Sequence, residues 1–401
     1  MRAAGSQGGR LLFPEADVRK RWAAVVLALL AAPGCSAASE PGPDTEAEAV
    51  MREIFNGIRV ALPVSVDRAA FRDPQNRAEI TKALDVLARN AVLLEQHSRS
   101  EDAQLYFLAR SVSRNANEVQ ARFERGRYLR AAFLLRQIVE NCVVCHTRLR
   151  ASQDSSVTVG FVDHGVMGSL PLEPRATLLT ATRRFDEALE TLEALLADPI
   201  THPAVMLGPL TDYLVVSIRV KRDFERPVAV LEKFARREDL WPSLRRDVEQ
   251  WARSLPRLRD QAESASRVAD ARALVEEAGG SEAHADDQSG LLRSIVASSI
   301  LERIIATHRT RDAELGQAYY QLGMLEARIG RNYWVTRAPF LLEESIRIAP
   351  DQPFAREALA VLERELYAAY EGSDVEQLPE ADEERLAELR ALTRSRSQPG
   401  D

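Results

Sequence analysis

The chain has 401 residues, 45% of them hydrophobic and 28% charged, with a formal net charge of −7. That length exceeds what one hydrophobic core normally holds, so two domains or a domain plus a repeat array are expected. The composition excludes a wholly disordered chain, the acidic balance argues against a nucleic-acid partner, and three cysteines are too few for a disulfide framework.

Near the N-terminus Arg19, Lys20 and Arg21 precede the apolar run Ala23 to Ala32, which small residues follow. This is the layout of a secretory signal, and with its tether it occupies 1–44. The run is short for a spanning helix, which needs about 20 apolar residues. Pro33-Gly34-Cys35-Ser36 and the Ser/Ala/Pro/Gly-rich stretch Ala37 to Asp44 come next. A small residue before Cys35 and a flexible tether after it resemble a bacterial lipoprotein site, which implies an acylated Cys35. Ala32 and Pro33 depart from that pattern, and simple cleavage near Ala37 is the alternative. Either way the expectation is an exported protein, periplasmic or anchored to the membrane facing the periplasm.

Four amphipathic segments follow over 45–150. Val50, Ile54, Ile58 and Ala61 keep helical spacing from Glu46 to Leu62, where Pro63 is expected to stop the helix. Residues 64–75 contain Asp73-Pro74 and read as a loop. Asn76 is a plausible N-cap for a helix running to about His97 through Ile80, Leu84, Leu87, Ala91 and Leu94. A third runs from Glu101 to Phe123, Gly126 offers a break, and a fourth runs from Tyr128 through Phe133, Leu134, Ile138 and Val139. Helices of similar length joined by short loops bury their stripes most simply as an antiparallel four-helix bundle.

The last of these helices ends in Cys142-Val143-Val144-Cys145-His146. Two thiols three positions apart can each add to a haem vinyl group, and the next imidazole reaches the iron, so the motif predicts one covalently attached haem c. A redox dithiol or half of a zinc site also uses Cys-x-x-Cys, but zinc usually needs a second ligand pair and only Cys35 is left. A redox dithiol or disulfide and chance occurrence stay open as alternatives. In bacteria haem is joined to this motif outside the cytoplasmic membrane, which agrees with the export signal.

A haem motif at the end of the last of four helices resembles the cytochromes of the c-prime type. The resemblance covers about 45–150 and implies His146 as the proximal ligand, with the first helix facing the distal side of the iron. Leu149 stands where that family usually has an aromatic residue. Met51, one turn before Phe55, is the candidate distal ligand; an apolar cover by Met51, Ile54 or Phe55 is the alternative, and His97 and Met167 are the others. The plainer role for Met51 is that of a core methionine filling a gap. Ten arginines against five acidic residues over 99–150 offer partners for haem propionates, Arg148 and Arg150 being nearest the motif, or form a solvated helix face.

Residues 151–171, rich in Gly, Ser and Pro, read as a linker, with His164 a weak metal or haem candidate. Beyond them the pattern Arg184 to Leu195 recurs as Asp223 to Phe234, 39 positions later. Leu322-Gly323, Gly330, Ala338, Ser345 and Pro350 fall nearly where a tetratricopeptide repeat places its small packing residues and closing proline. Helix pairs of that kind stack into an α-solenoid. The resemblance over 172–371 implies a concave face that docks a protein partner. An irregular helical domain is the alternative. Residues 372–401 read as an acidic C-terminal helix and tail.

The expected protein is therefore all-α, a haem bundle followed by a repeat array, and an electron carrier. The alternatives are a haem-based gas binder or sensor, and a repeat scaffold in which haem is structural. No phosphate loop, His-Glu-x-x-His or nucleophile elbow occurs, so an enzyme is not expected; a peroxidase-like activity is the exception left open.

Overall fold

Apolar residues recur at helical spacing through most of the chain, and every regular element among the described residues is a helix, so the fold class is all-α. The computed structural model describes residues 43–99, 103–148, 168, 170–277, 290–329, 337–370, 378 and 380–395. The proposed signal segment, Cys35, Leu149, Arg150, His164, Met167, His284 and Gly330 lie outside them. Within them, no helix is long and apolar enough to cross a membrane. Thr45–Asp401 fold as one compact unit.

Helix α1 spans Pro43–Val66 and runs past Pro63. The proline removes one helical donor, but the flanking Ala61 and Leu62 are buried and keep the last turn in register. The segment read as a loop contains the short helix α2, Arg68–Arg72, whose first amides Ala69 N–H and Ala70 N–H are accepted by Asp67 Oδ1 at 2.8 and 3.3 Å. It sets Phe71 in the core, ring centroids 5.1 Å from Phe123 and 6.3 Å from Tyr128. Five residues are too few for periodicity to reveal. Asn76 stands at the N-cap of α3 (Arg77–Ser98), as expected, but its side chain makes no capping bond; Nδ2 donates instead to the Ala70 carbonyl at 3.0 Å, tying α2 to α3. Helices α4 (Ala103–Glu124) and α5 (Tyr128–Arg148) are joined at Gly126, where φ is +74. Only glycine takes that conformation at no steric cost.

One core gathers Ile54, Phe55, Ile58 and Leu62 of α1, Leu84 and Leu87 of α3, Val112 and Val119 of α4, and Leu135, Ile138 and Val139 of α5. It does not end with α5. Helix α6 (Leu172–Ala181) packs against α5, and its Leu178, Leu179 and Ala181 belong to this core, as do Leu170 and Ala188. Helices α1 and α3 cross closely at Gly57, where an added Cβ would lie 2.7 Å from the Ala83 carbonyl oxygen and 3.0 Å from Leu87 Cβ.

From α6 on, most helices pack on their sequence neighbours. The helices are α7 (Phe185–Ala197), α8 (Leu207–Val215) with a π-helical turn Val216–Lys221, α9 (Arg226–Ala235), α10 (Pro242–Ser264) and α11 (Val268–Glu277). The series continues with α12 (Leu291–Thr307), α13 (Ala313–Ile329), α14 (Ala338–Ile348), α15 (Pro353–Tyr370) and α16 (Glu380–Ser395). The 39-residue repetition has a backbone counterpart. Arg183 and Arg222, in equivalent turns, are the two non-glycine residues with positive φ among those described, at 60 and 54. The phenylalanines two positions later in each repeat, Phe185 and Phe224, are both buried. In α13 the glycine of the Leu-Gly pair meets α14 so closely that a Cβ at Gly323 would lie 2.9 Å from Leu342. Ala338 and Ser345 across that interface are fully buried.

A buried ion network ties these helices together. Arg219, on the π-helical turn, donates to Glu326 Oε1 of α13 at 2.7 Å and to Ser298 Oγ of α12 at 2.8 Å. Arg337, before α14, donates to the same Glu326 oxygen at 3.0 Å and also pairs with Glu302 of α12. Burial opposes the charge on Glu326, but the two guanidinium groups outweigh it and hold the carboxyl below its usual range.

The glycines give a paired test by thermal unfolding. Gly57→Ala is expected to lower stability, because overpacking costs about 1–3 kcal/mol and exceeds the helix-propensity gain. Gly208→Ala, in α8 with nothing within 4 Å of the added carbon, should instead raise it by about 0.5–1 kcal/mol. For the ion network, Glu326→Ala leaves the buried Arg219 guanidinium without a carboxylate and Arg337 with Glu302 alone, and should cost about 3–5 kcal/mol in a denaturant titration. A folded-state pKa depressed at Glu326 also means a contribution present above the unfolded carboxylate value and lost as the pH falls through the folded one. The variant's deficit should therefore shrink in acid.

Candidate functional site

Cys142, Cys145 and His146 stand at i, i+3 and i+4 of α5, so the helix itself places them on one face. The fully buried Asn141 ties the helix to α4, donating from Nδ2 to Ser111 Oγ at 3.3 Å, and Thr147 Oγ1 donates within α5 to the Val143 carbonyl at 2.8 Å. Cys145 is buried, Cys142 and His146 are half-buried, and both cysteines are free thiols.

The face is covered by the hairpin turn between α6 and α7. His146 Nδ1–H donates to the carbonyl oxygen of Ala181, the last residue of α6. That bond fixes the proton on Nδ1 and leaves the Nε2 lone pair as the ring's ligating atom. The half-buried guanidinium of Arg183 lies close enough to act electrostatically on both His146 and Cys145. Among the described residues no carboxylate pairs with it.

These surroundings set the chemistry of the motif. Burial, reinforced by Arg183 and opposed by the Ala181 carbonyl, lowers the His146 imidazole to about 4, so the ring is neutral and a competent metal ligand at neutral pH. Burial, then the neighbouring Cys145 and Glu140, pushes the Cys142 thiol up to about 12. A redox or nucleophilic Cys-x-x-Cys needs the opposite, a thiolate stabilised near neutrality. Among the described residues no group of three or more His, Cys, Asp or Glu side chains is arranged to hold a metal ion. A haem needs only one protein ligand on its proximal side, and the motif's donor set fits it. No family model, no curated protein and no solved structure matches this chain.

The structure brings the three motif residues together and adds Ala181 and Arg183, which the sequence did not single out. Their separation of 35 or more positions from His146 hides them; the one signal is the recurrence of an arginine before each Phe-Asp/Glu pair. Met51 is half-buried on α1, beside the buried Ile54 and Phe55. His97 is half-buried at the end of α3. His202 is exposed, its Nδ1 accepting from Ala204 N–H, and His308 pairs with Asp312 at 3.0 Å, so neither joins the motif.

Three carboxyls from three elements also gather near α5. Burial and then Glu173 of α6 raise Glu140 to about 7; burial and then Glu140 and Glu173 raise Asp212 of α8 well above its usual range. Glu173 is itself raised by burial, with Arg136 opposing. Farther along, the first turns of α11, α13 and α15 enclose a concavity of about 610 Å³ lined by Arg267, Gln317, Phe354 and Glu357 among others.

The His146 environment is testable in the haem-free full chain. Its ring resonances should stay constant from pH 8 to pH 5 and move only near pH 4. Because the folded value lies below the unfolded one of 6.5, the folded state takes up its proton later than the unfolded state. Stability should therefore fall as the pH drops from about 6.5 toward 4. His146→Gln should flatten that part of the pH–stability curve.

Proposed function

We propose that this protein is an exported c-type cytochrome that binds one haem through Cys142 and Cys145, with His146 as proximal ligand, and transfers electrons. The single observation that carries the reading is His146 itself, neutral, with Nδ1 occupied by a backbone carbonyl and Nε2 left for iron, in a Cys-x-x-Cys-His sequence on one helix face. Haem in this setting supplies a one-electron ferric–ferrous couple. The elevated Cys142 thiol favours a thioether role over a redox dithiol. In this reading α1, α3, α4 and α5 are an antiparallel four-helix bundle of c-prime type, Arg183 is a cation available to a haem propionate, and α6 to α15 form an α-solenoid of tetratricopeptide type. The close helix approach at Gly323 supports that last assignment. The array docks a protein partner, and the concavity lined by Arg267 and Phe354 belongs to its recognition surface. Export places the protein in the periplasm, with Cys35 as the lipid anchor.

A gas-binding alternative rests on α1, where Ile54 and Phe55 are 4% and 8% exposed and could form an apolar cover on the distal side, while Met51 is half-buried. Met51 as the distal ligand gives a closed electron carrier.

Full-length protein from cells competent in haem ligation should keep its colour through denaturing electrophoresis and haem staining. An unstained band removes the cytochrome reading. His146→Ala is expected to lose the native Soret band. Wild type should show a sulfur-to-iron charge-transfer band at the red edge of the visible spectrum, which Met51→Ala abolishes. If that band is missing and the ferrous protein takes up carbon monoxide readily, the gas-binding form of the function replaces the carrier.

A further inference from the structure

Helix α6 ends with carbonyls that have no partner inside the helix. Arg184 N–H donates back to Leu179 O at 2.9 Å and Arg183 N–H to Thr180 O at 3.0 Å, the paired bonds of a Schellman turn. The Thr182 hydroxyl adds bonds to the Leu178 and Leu179 carbonyls at 2.8 and 3.1 Å. The carbonyl left over is that of Ala181, and His146 takes it. The turn depends on a left-handed residue, and that residue is Arg183, φ 60, where glycine is usual and an L-residue costs about 1–2 kcal/mol.

The corresponding turn 39 positions later differs in its bonding. Arg222 takes the same left-handed conformation with its side chain exposed to solvent, but it closes a π-helical turn in which the Arg222 and Asp223 amides both donate to the Ser217 carbonyl. A left-handed arginine at this position therefore needs no buried guanidinium. In the first copy, the turn is pressed onto α5 instead, with Ala181 in the core shared by α1 to α6.

We infer that the α6–α7 turn is the positioning device for His146: the left-handed residue at Arg183 aims the Ala181 carbonyl at Nδ1, so the helical array holds the ring's tautomer and orientation. Movement of the array would then reach the proximal ligand directly. A carbonyl acceptor at Nδ1 makes the imidazole a stronger donor from Nε2. That favours ferric iron, so loosening the turn raises the reduction potential. The effect at iron rests on the cytochrome reading. The orientation of the ring belongs to the chain alone.

The test uses the full-length chain and variants of Arg183. Glycine and asparagine accept the left-handed conformation; valine, β-branched, opposes it. In haem-free protein, nitrogen-15 shifts of the His146 ring should report a proton on Nδ1 in wild type, Arg183→Gly and Arg183→Asn, and its loss or a tautomer mixture in Arg183→Val. In haem-loaded protein both Arg183→Val and Arg183→Gly lose the guanidinium, so the two are compared with each other: Arg183→Val should show a higher midpoint potential and a weaker iron–histidine stretch than Arg183→Gly. A folded Arg183→Val with the wild-type tautomer overturns the inference. If valine prevents folding, Arg183→Ala makes the same comparison more mildly, and an unchanged tautomer there overturns it equally. Protein that never acquires haem removes the cytochrome reading, while the ring shifts still decide the positioning role.

Discussion

A buried polar group must find a partner, and at the centre of this protein two such groups satisfy each other. The last carbonyl of α6 has no donor within its own turn, and the imidazole of His146 needs an acceptor for one of its nitrogens. An unpaired buried donor or acceptor costs about 1–3 kcal/mol. The pairing therefore stabilises the packing of α6 on α5 as much as it orients the ring. Because α6 also contributes Leu178 and Leu179 to the core of the preceding helices, the site and the start of the helical array share one packed interior.

The consequence for chemistry is a motif kept neutral and held still. The environment that lowers His146 also raises Cys142, since burial disfavours the imidazolium cation and the thiolate anion alike. A protonated Cys142 and a neutral imidazole suit a site that is modified once and then holds a group, rather than one that cycles through thiolate chemistry. The raised carboxyls of Glu140 and Asp212 follow from the same burial.

Farther along the chain a buried ion network adds to the apolar core that runs from α6 into α14. Arg219, Glu326, Arg337 and Glu302 join four separate elements through a single carboxylate oxygen and its neighbours. Such a network is specific in geometry, because each charge taken from water must be matched by one placed opposite it. It fixes how α12, α13 and α14 stack, and with them the concavity at the start of α11, α13 and α15.

The sequence alone determined the all-α class, most helix spans and the Cys142, Cys145 and His146 constellation, because helical periodicity and the i, i+3, i+4 spacing are local properties. It also carried the 39-residue repetition, which the paired left-handed arginines mirror. Local reading failed where tertiary packing outweighed local preference. Burial of Ala61 and Leu62 carried α1 through Pro63, Phe71 drew a short helix out of an expected loop, and Asn76, at its expected N-cap position, turned its side chain to Ala70. Only the fold could supply Ala181 and Arg183 to His146, since a hydrogen bond spanning 35 positions leaves no periodic trace in the chain. The same holds for Arg219 and Glu326, 107 positions apart: their complementarity exists only once the helices between them have packed.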